Sequence, residues 1–140
     1  MPDQVVIAVA DRAMVGRVLV LFDEGGELSG YAEAALADPL GRIFVALDGA
    51  ELVGALITRE SVAADRQRRG GIDELLVSER YRARGIGRAL MEAAEAYWRQ
   101  QPQVVGLQLT VLASNTSAMH LYESLGYREV QRRVRMWKDW

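Results

Sequence analysis

The sequence predicts an α/β fold, a mixed sheet covered by helices, and three observations predict it. Apolar runs rich in β-branched residues alternate with segments of helical periodicity, in the order β-α-α-β-β-β-α-β-α-β. Asp48-Gly49 separates two apolar runs, a hairpin signal that makes some strand neighbours antiparallel. A short apolar strand also leads through a glycine-containing loop straight into an amphipathic helix beginning near Ile86.

Val5–Ala10 is β-branched and apolar and reads as the first strand. Arg12–Phe22 carries apolar residues at Val15, Val18, Leu19 and Phe22, a helical spacing. Asp23–Gly30, rich in Gly and acidic residues, reads as a loop. Tyr31–Ala37 reads as a second helix that ends at Asp38-Pro39, because proline disfavours the helical conformation in the residue before it. Ile43–Leu47 and Leu52–Thr58 form the hairpin. Asp65–Gly71 reads as a polar loop and Ile72–Val77 as a short apolar strand.

Ile86–Arg99 places apolar or small residues at Ile86, Leu90, Ala93, Ala94 and Tyr97, an amphipathic helix. Val104–Leu112 is the next strand. Thr116–Leu125 is a helix with its stripe at Ala118, Leu121, Tyr122 and Leu125, and Gly126 stops it. Tyr127–Trp140 is expected to close the chain as one or two strands.

The 140 residues fit one domain, 1–140, which at this size buries roughly 70% of the surface its unfolded chain exposes. A net charge of −2 argues against nucleic acid as a partner, since that needs excess Lys and Arg on one face. The longest N-terminal apolar run, Val5–Ala10, is too short to cross a bilayer. Pro2 and Asp3 stand where a secretory signal is basic, so the chain reads as cytoplasmic, with no membrane partner. With no cysteine there is no thiolate nucleophile or disulfide, and with one histidine no multi-histidine metal site.

The segment Glu74–Ala94 carries the chemistry. Its strand runs through Ser78–Arg84 into Gly85-Ile86-Gly87 and the helix. Unpaired N–H groups at a helix start point outward, and the helix dipole favours negative charge there, which suits a diphosphate. Gly85 and Gly87 let the backbone approach phosphate closely, and Arg82, Arg84 and Arg88 add positive charge.

This stretch, V-S-E-R-Y-R-A-R-G-I-G-R-A-L, resembles the signature of the GNAT superfamily of acetyl-CoA-dependent N-acetyltransferases, matching it at Arg82, Gly85 and Gly87. A second block, Leu109–Tyr127, is similar to the family's other cofactor motif: strand, Asn115, a helix with Tyr122, then Gly126-Tyr127. The resemblance spans Arg42 to Trp140. It implies the GNAT fold: a mixed, mostly antiparallel sheet with a V-shaped splay between strands 4 and 5, flanked by helices. It also implies acetyl-CoA as co-substrate, with no metal. The pyrophosphate would lie on the backbone of Ala83, Arg84, Gly85, Ile86, Gly87, Arg88 and Ala89. The pantetheine arm would pair with Leu75, Leu76 and Val77 like an added strand, and Asn115 would contact it. Tyr122 would stand near the thioester sulfur.

Acetyl transfer to an amine needs a group to take the amine's proton, donors for the oxyanion, and a proton for the departing thiolate. Tyr122 fits the last role. For the first, Asp73, Glu74 or a bound water remain open. Alternation along a strand predicts that only one of the two carboxylates faces the acceptor. Relatives that acetylate ribosomal-protein N-termini carry Glu where this chain has Thr110, which cannot serve as a base near neutral pH. His120 falls off the helix stripe and should face solvent. Asn115 also suits an N-cap.

The expected reaction is direct transfer from acetyl-CoA to a primary amine in a ternary complex. The acceptor is a small molecule or a protein lysine or N-terminus. The alternative is a GNAT-fold module that binds acyl-CoA without turning it over. An ATP or dinucleotide loop fits less well, because Ala89-Leu90 stand where Lys-Ser/Thr would follow and the third glycine is missing. Acidic residues Asp23, Glu24, Glu27 and Glu33 are suited to attract a cationic amine, and Trp137 and Trp140 are candidates for a homodimer contact.

Overall fold

The hairpin signal organises the sheet of the computed structural model. β2 (Arg42–Asp48) turns through Gly49-Ala50 into β3 (Glu51–Val62), with Asp48 paired to Glu51. The structure describes residues 2, 4–22, 27–62 and 65–140. It divides into two units, Met1–Thr110 and Val111–Trp140.

In the first unit, β1 (Val5–Val9), β2, β3, β4 (Arg68–Val77) and β5 (Val104–Leu109) form a sheet in that order. β1 through β4 are antiparallel neighbours, whereas β4 and β5 run parallel. The sheet is therefore mixed and mostly antiparallel, as expected. The β4–β5 ladder ends at Ile72 opposite Leu109, while β4 continues to Val77. Strands 4 and 5 part company there.

Each face of the sheet carries its own helices. α1 (Arg12–Phe22) and α2 (Glu27–Ala37) bury Val15, Val18, Leu28, Ala32 and Ala35 against Ile43, Val45, Ala55 and Ile57. Alternation turns Phe44, Gly54 and Thr58 to the opposite face, where α3 (Ile86–Arg99) lies. α3 buries Ile86, Leu90, Met91, Ala94 and Trp98, an i, i+4 stripe. A Cβ on Gly70 would come within 2.5 Å of Trp98, so only glycine lets the indole sit this close to β4. Among the described residues, no helix is long and apolar enough to cross a membrane.

Several boundaries differ from expectation. α2 begins at Glu27, so 27–30 are helical and not loop; the rest of that segment, Asp23–Gly26, lies outside the described residues. Leu28 explains the early start, because it is buried one turn before Ala32, while Gly30 has open space beside it. β4 begins at Arg68, inside the segment read as a polar loop. Backbone pairing with Val62 through Arg59 extends the strand, and Arg68 meets Glu60 across it (Nε to Oε1, 2.5 Å). β5 stops at Leu109, where its partner ladder stops.

In the second unit, α4 (Thr116–Ser124) forms as expected. Tyr127–Trp140 contains no strand, contrary to expectation. β-branched and alternating residues favour a strand but do not make one without a partner to take up the backbone hydrogen bonds.

Candidate active site

The C-terminal end of β4, the loop after it and the start of α3 form one continuous structure. Ser78 donates its N–H to the Val53 carbonyl (2.8 Å), and a single 3₁₀ turn, Glu79–Tyr81, follows. The loop then takes two left-handed residues, Ala83 (φ 61°) and Gly85 (φ 82°), before entering α3. The first helical bond is from Ala89 N–H to Gly85 carbonyl (3.0 Å).

Gly85, the N-cap, supplies no side-chain cap, and the first turn has no acidic residue. No side chain at the N-cap therefore covers the start of α3. Arg82, Arg84 and Arg88 are exposed around it, and buried Ile86 anchors the helix start from below. A polyanion of diphosphate size matches this donor set.

β4 carries a bulge at the other end of the site. Ile57 pairs with Glu74 and Thr58 with Ile72, leaving Asp73 as an extra residue. The bulge overturns the expectation that Asp73 and Glu74 face opposite sides. Asp73 accepts a bond from Arg59 (Nε to Oδ2, 2.8 Å), and Glu74 lies opposite Ile57. Arg59 and Ile57 share the α1–α2 face of β3, so both carboxylates point that way.

Their environments differ. The Asp73 carboxylate is tied up by Arg59. Glu74 is half-buried, and that burial raises its pKa above the usual carboxylate range, with the charges of Asp73 and Glu27 adding to the rise. A carboxylate shifted upward beside the end of β4 is better suited to accept a proton near neutral pH.

Beneath the bulge runs a buried relay. Trp98 Nε1–H donates to Thr58 Oγ1 (2.8 Å), whose hydroxyl donates to the Gly71 carbonyl (2.6 Å). Neither Thr58, Trp98, Arg59 nor Tyr81 is singled out by the sequence reading. For Trp98 the signal was present in the spacing Leu90, Ala94, Trp98; for the others it was not.

Leu75, Leu76 and Val77 are half-buried at the end of β4, past the point where β5 leaves it. In the second unit, Asn115 caps α4, its Oδ1 accepting from Ala118 N–H (3.2 Å). Tyr122 packs edge-on against Tyr127 with ring centres 6.0 Å apart. His120 is exposed.

Residues 10–127 match the family model described as "Acetyltransferase (GNAT) family". The chain belongs to the GNAT acetyltransferase family. Over 84 residues it is 36% identical to the N-alpha-acetyltransferase 30 of Xenopus laevis, a stretch covering 60% of this chain and 30% of that protein. The chain thus spans less than a third of that relative's length. Its fold is similar to AAC(6')-Iy, solved in complex with a bisubstrate analogue, CoA-S-monomethyl-acetylneamine. That likeness has a TM-score of 0.79, 15% identity, and covers 96% of this chain and 98% of the other. A transcriptional regulator from Bacillus halodurans C-125 is also similar, with a TM-score of 0.77 and 19% identity over 96% of this chain and 99% of the other. At these identities the likeness shows the GNAT fold alone.

Proposed function

We propose that this chain transfers an acetyl group from acetyl-CoA directly to a primary amine. The observation that carries the reading is the uncapped, arginine-flanked start of α3 in a GNAT chain. On this reading the backbone from Ala83 to Ala89 holds the pyrophosphate, and Leu75–Val77 pair with the pantetheine arm along the β4 edge that β5 has left. Asn115 contacts that arm.

An amine with a pKa near 10.4 is only about one part in a thousand neutral at pH 7.4, so its proton must be taken. Glu74 takes it, directly or through a water, while Asp73 remains paired with Arg59 and adds negative charge beside it. The neutral nitrogen then attacks the acetyl carbon. As the C–N bond forms and the C–S bond breaks, Tyr122 gives its proton to the thiolate, and the second proton shed by the nitrogen returns through water to the Tyr122 phenolate. No residue is acylated.

The acceptor is a cationic amine, either a small molecule or a protein N-terminus or lysine. Glu27 and Glu74 supply the negative field that draws it in. N-alpha-acetyltransferase 30 by name acts on N-termini, and AAC(6')-Iy was solved with an acetylneamine conjugate; both support an amine acceptor for this chain.

A thermal-shift titration tests the reading without knowledge of the acceptor. Acetyl-CoA at a hundred times its Kd should stabilise the wild type by about 2.7 kcal/mol, and ATP or NAD should not. Gly85→Trp should abolish the shift. Release of free CoA is then followed with peptides of free N-terminus and with aminoglycosides. Stabilisation without release on any amine would identify a binding module; no stabilisation at millimolar acetyl-CoA would sink the reading.

A further inference from the structure

The loop before α3 asks something unusual of its backbone. Ala83 holds a left-handed conformation, which its Cβ disfavours, one residue pair before Gly85 does the same at no steric cost. Such a conformation persists only where the surroundings fix it. Arg82, Ala83, Arg84 and Gly85 are all exposed, so they do not fix themselves by burial.

Two buried side chains flank them: Ile86 in α3, and Tyr81, which is 7% exposed. The Tyr81 hydroxyl donates to Asp48 Oδ2 (2.6 Å), with Glu51 Oε2 at 3.2 Å. These two acids flank the Gly49-Ala50 turn of the β2–β3 hairpin. The turn is secured in its own right, because Arg17 of α1 donates to the Ala50 carbonyl (2.6 Å). The Tyr81 ring carries the Arg84 guanidinium 5.2 Å from its centre, within cation–π range. Arg80 of the same turn pairs with Glu51 as well, but Tyr81 is the buried tie, and it also sets the direction of a loop arginine.

We propose that Tyr81 is a positioning residue for the cofactor: its hydroxyl latches the loop to the β2–β3 turn, so the left-handed backbone at Ala83 and the Arg84 charge stand ready before acetyl-CoA arrives. The inference rests on the reading that this loop holds the pyrophosphate. Its consequence is that latch and affinity are coupled. Without the hydroxyl, Ala83 relaxes toward ordinary backbone angles, and binding must restore the loop each time.

Calorimetric titration of acetyl-CoA and of free CoA, with melting curves on the same samples, tests this. Tyr81→Phe should weaken both ligands alike, by roughly tenfold, the scale of a lost hydrogen bond to a charged group. It should leave kcat at saturating acetyl-CoA unchanged. Asp48→Ala should reproduce the loss, whereas Asp48→Asn, whose amide oxygen still accepts, should restore binding. Ala83→Gly added to Tyr81→Phe should recover part of the affinity, because glycine needs no latch to hold a positive φ. A purely structural Tyr81 would lower the melting temperature of Tyr81→Phe with the Kd of the folded protein unchanged, and that result would overturn the proposal. If wild type itself binds no CoA, the loop assignment fails and the latch with it; wild-type binding matched by Tyr81→Phe defeats the latch alone.

Discussion

Trp98 donates its indole N–H to Thr58, and Thr58 passes a hydrogen bond on to the Gly71 carbonyl, two residues before the bulge at Asp73. Both side chains are at most 1% exposed, so water cannot replace either bond. Thr58→Val keeps the shape and leaves the indole N–H and a strand carbonyl without this partner. That substitution should cost about 1–3 kcal/mol in urea denaturation, and Thr58→Ser clearly less.

The space beneath the indole is equally constrained. Gly70→Ala would bring a methyl group to 2.5 Å from Trp98, and the ring has a buried hydrogen bond to lose by moving. A loss of about 1–3 kcal/mol is expected, readable as a lower urea midpoint with an unchanged slope.

Glu74 carries an opposite signature. Its pKa is raised by burial and by Asp73 and Glu27, so the folded state favours the protonated form more than the unfolded chain does. Stability from this group is complete below the usual carboxylate pKa and is lost as pH rises through the higher folded value. Glu74→Gln should therefore raise the melting temperature at pH 7 and lose that advantage near pH 4. It should also lower kcat at neutral pH, with less loss as the buffer is made more alkaline and more amine is neutral. Equal activity of wild type and variant across that range would remove Glu74 as the proton acceptor.

Tyr81 titrates at the other end of the scale. Hydrogen bonding to Asp48, then burial and Glu51, push its phenol up to about 12. Its stabilising effect is whole below about pH 10, the unfolded value, and is lost as pH climbs toward 12. Tyr81→Phe should be less stable than wild type at pH 8 and show a flatter decline between pH 10 and 12, measurable by circular dichroism.

Tyr122→Phe separates chemistry from binding. If its hydroxyl protonates the thiolate, kcat should fall about a hundredfold, with the Kd for acetyl-CoA within a factor of about two. An unchanged kcat would take Tyr122 out of the mechanism.

What the sequence made legible follows from the range of the forces involved. The bounds of α1 and α3 were readable because apolar periodicity and a glycine stop or start are local signals. The loop Arg82–Gly87 was readable because a glycine-led helix start is set by its own backbone. The orientation of Asp73 and Glu74 was not, since an extra residue in a strand is defined by its partner's register and nothing at Asp73 announces it. Tyr81 and Thr58 escaped notice for the same reason: their partners lie 33 and 40 residues away along the chain. Arg68–Gly71 misled because charge suggests loop, while pairing with β3 decided strand.

The bulge at Asp73 divides β4 into two halves written in opposite phase. Before it, Gly70 and Ile72 look toward α3; after it, Leu75 and Val77 do, and Glu74 and Leu76 look toward α1 and α2. The same residues laid out as a regular strand, with no bulge at Asp73, would invert the whole second half. That layout would press the Glu74 carboxylate onto the apolar side of α3 and turn Leu75 into the other core. What position 73 brings to the fold is thus the half-step that the bulge absorbs. Deleting Asp73 would straighten the strand and leave Glu74, Leu75, Leu76 and Val77 on the faces they now hold, whereas a residue inserted beside it without a second bulge would turn them all over.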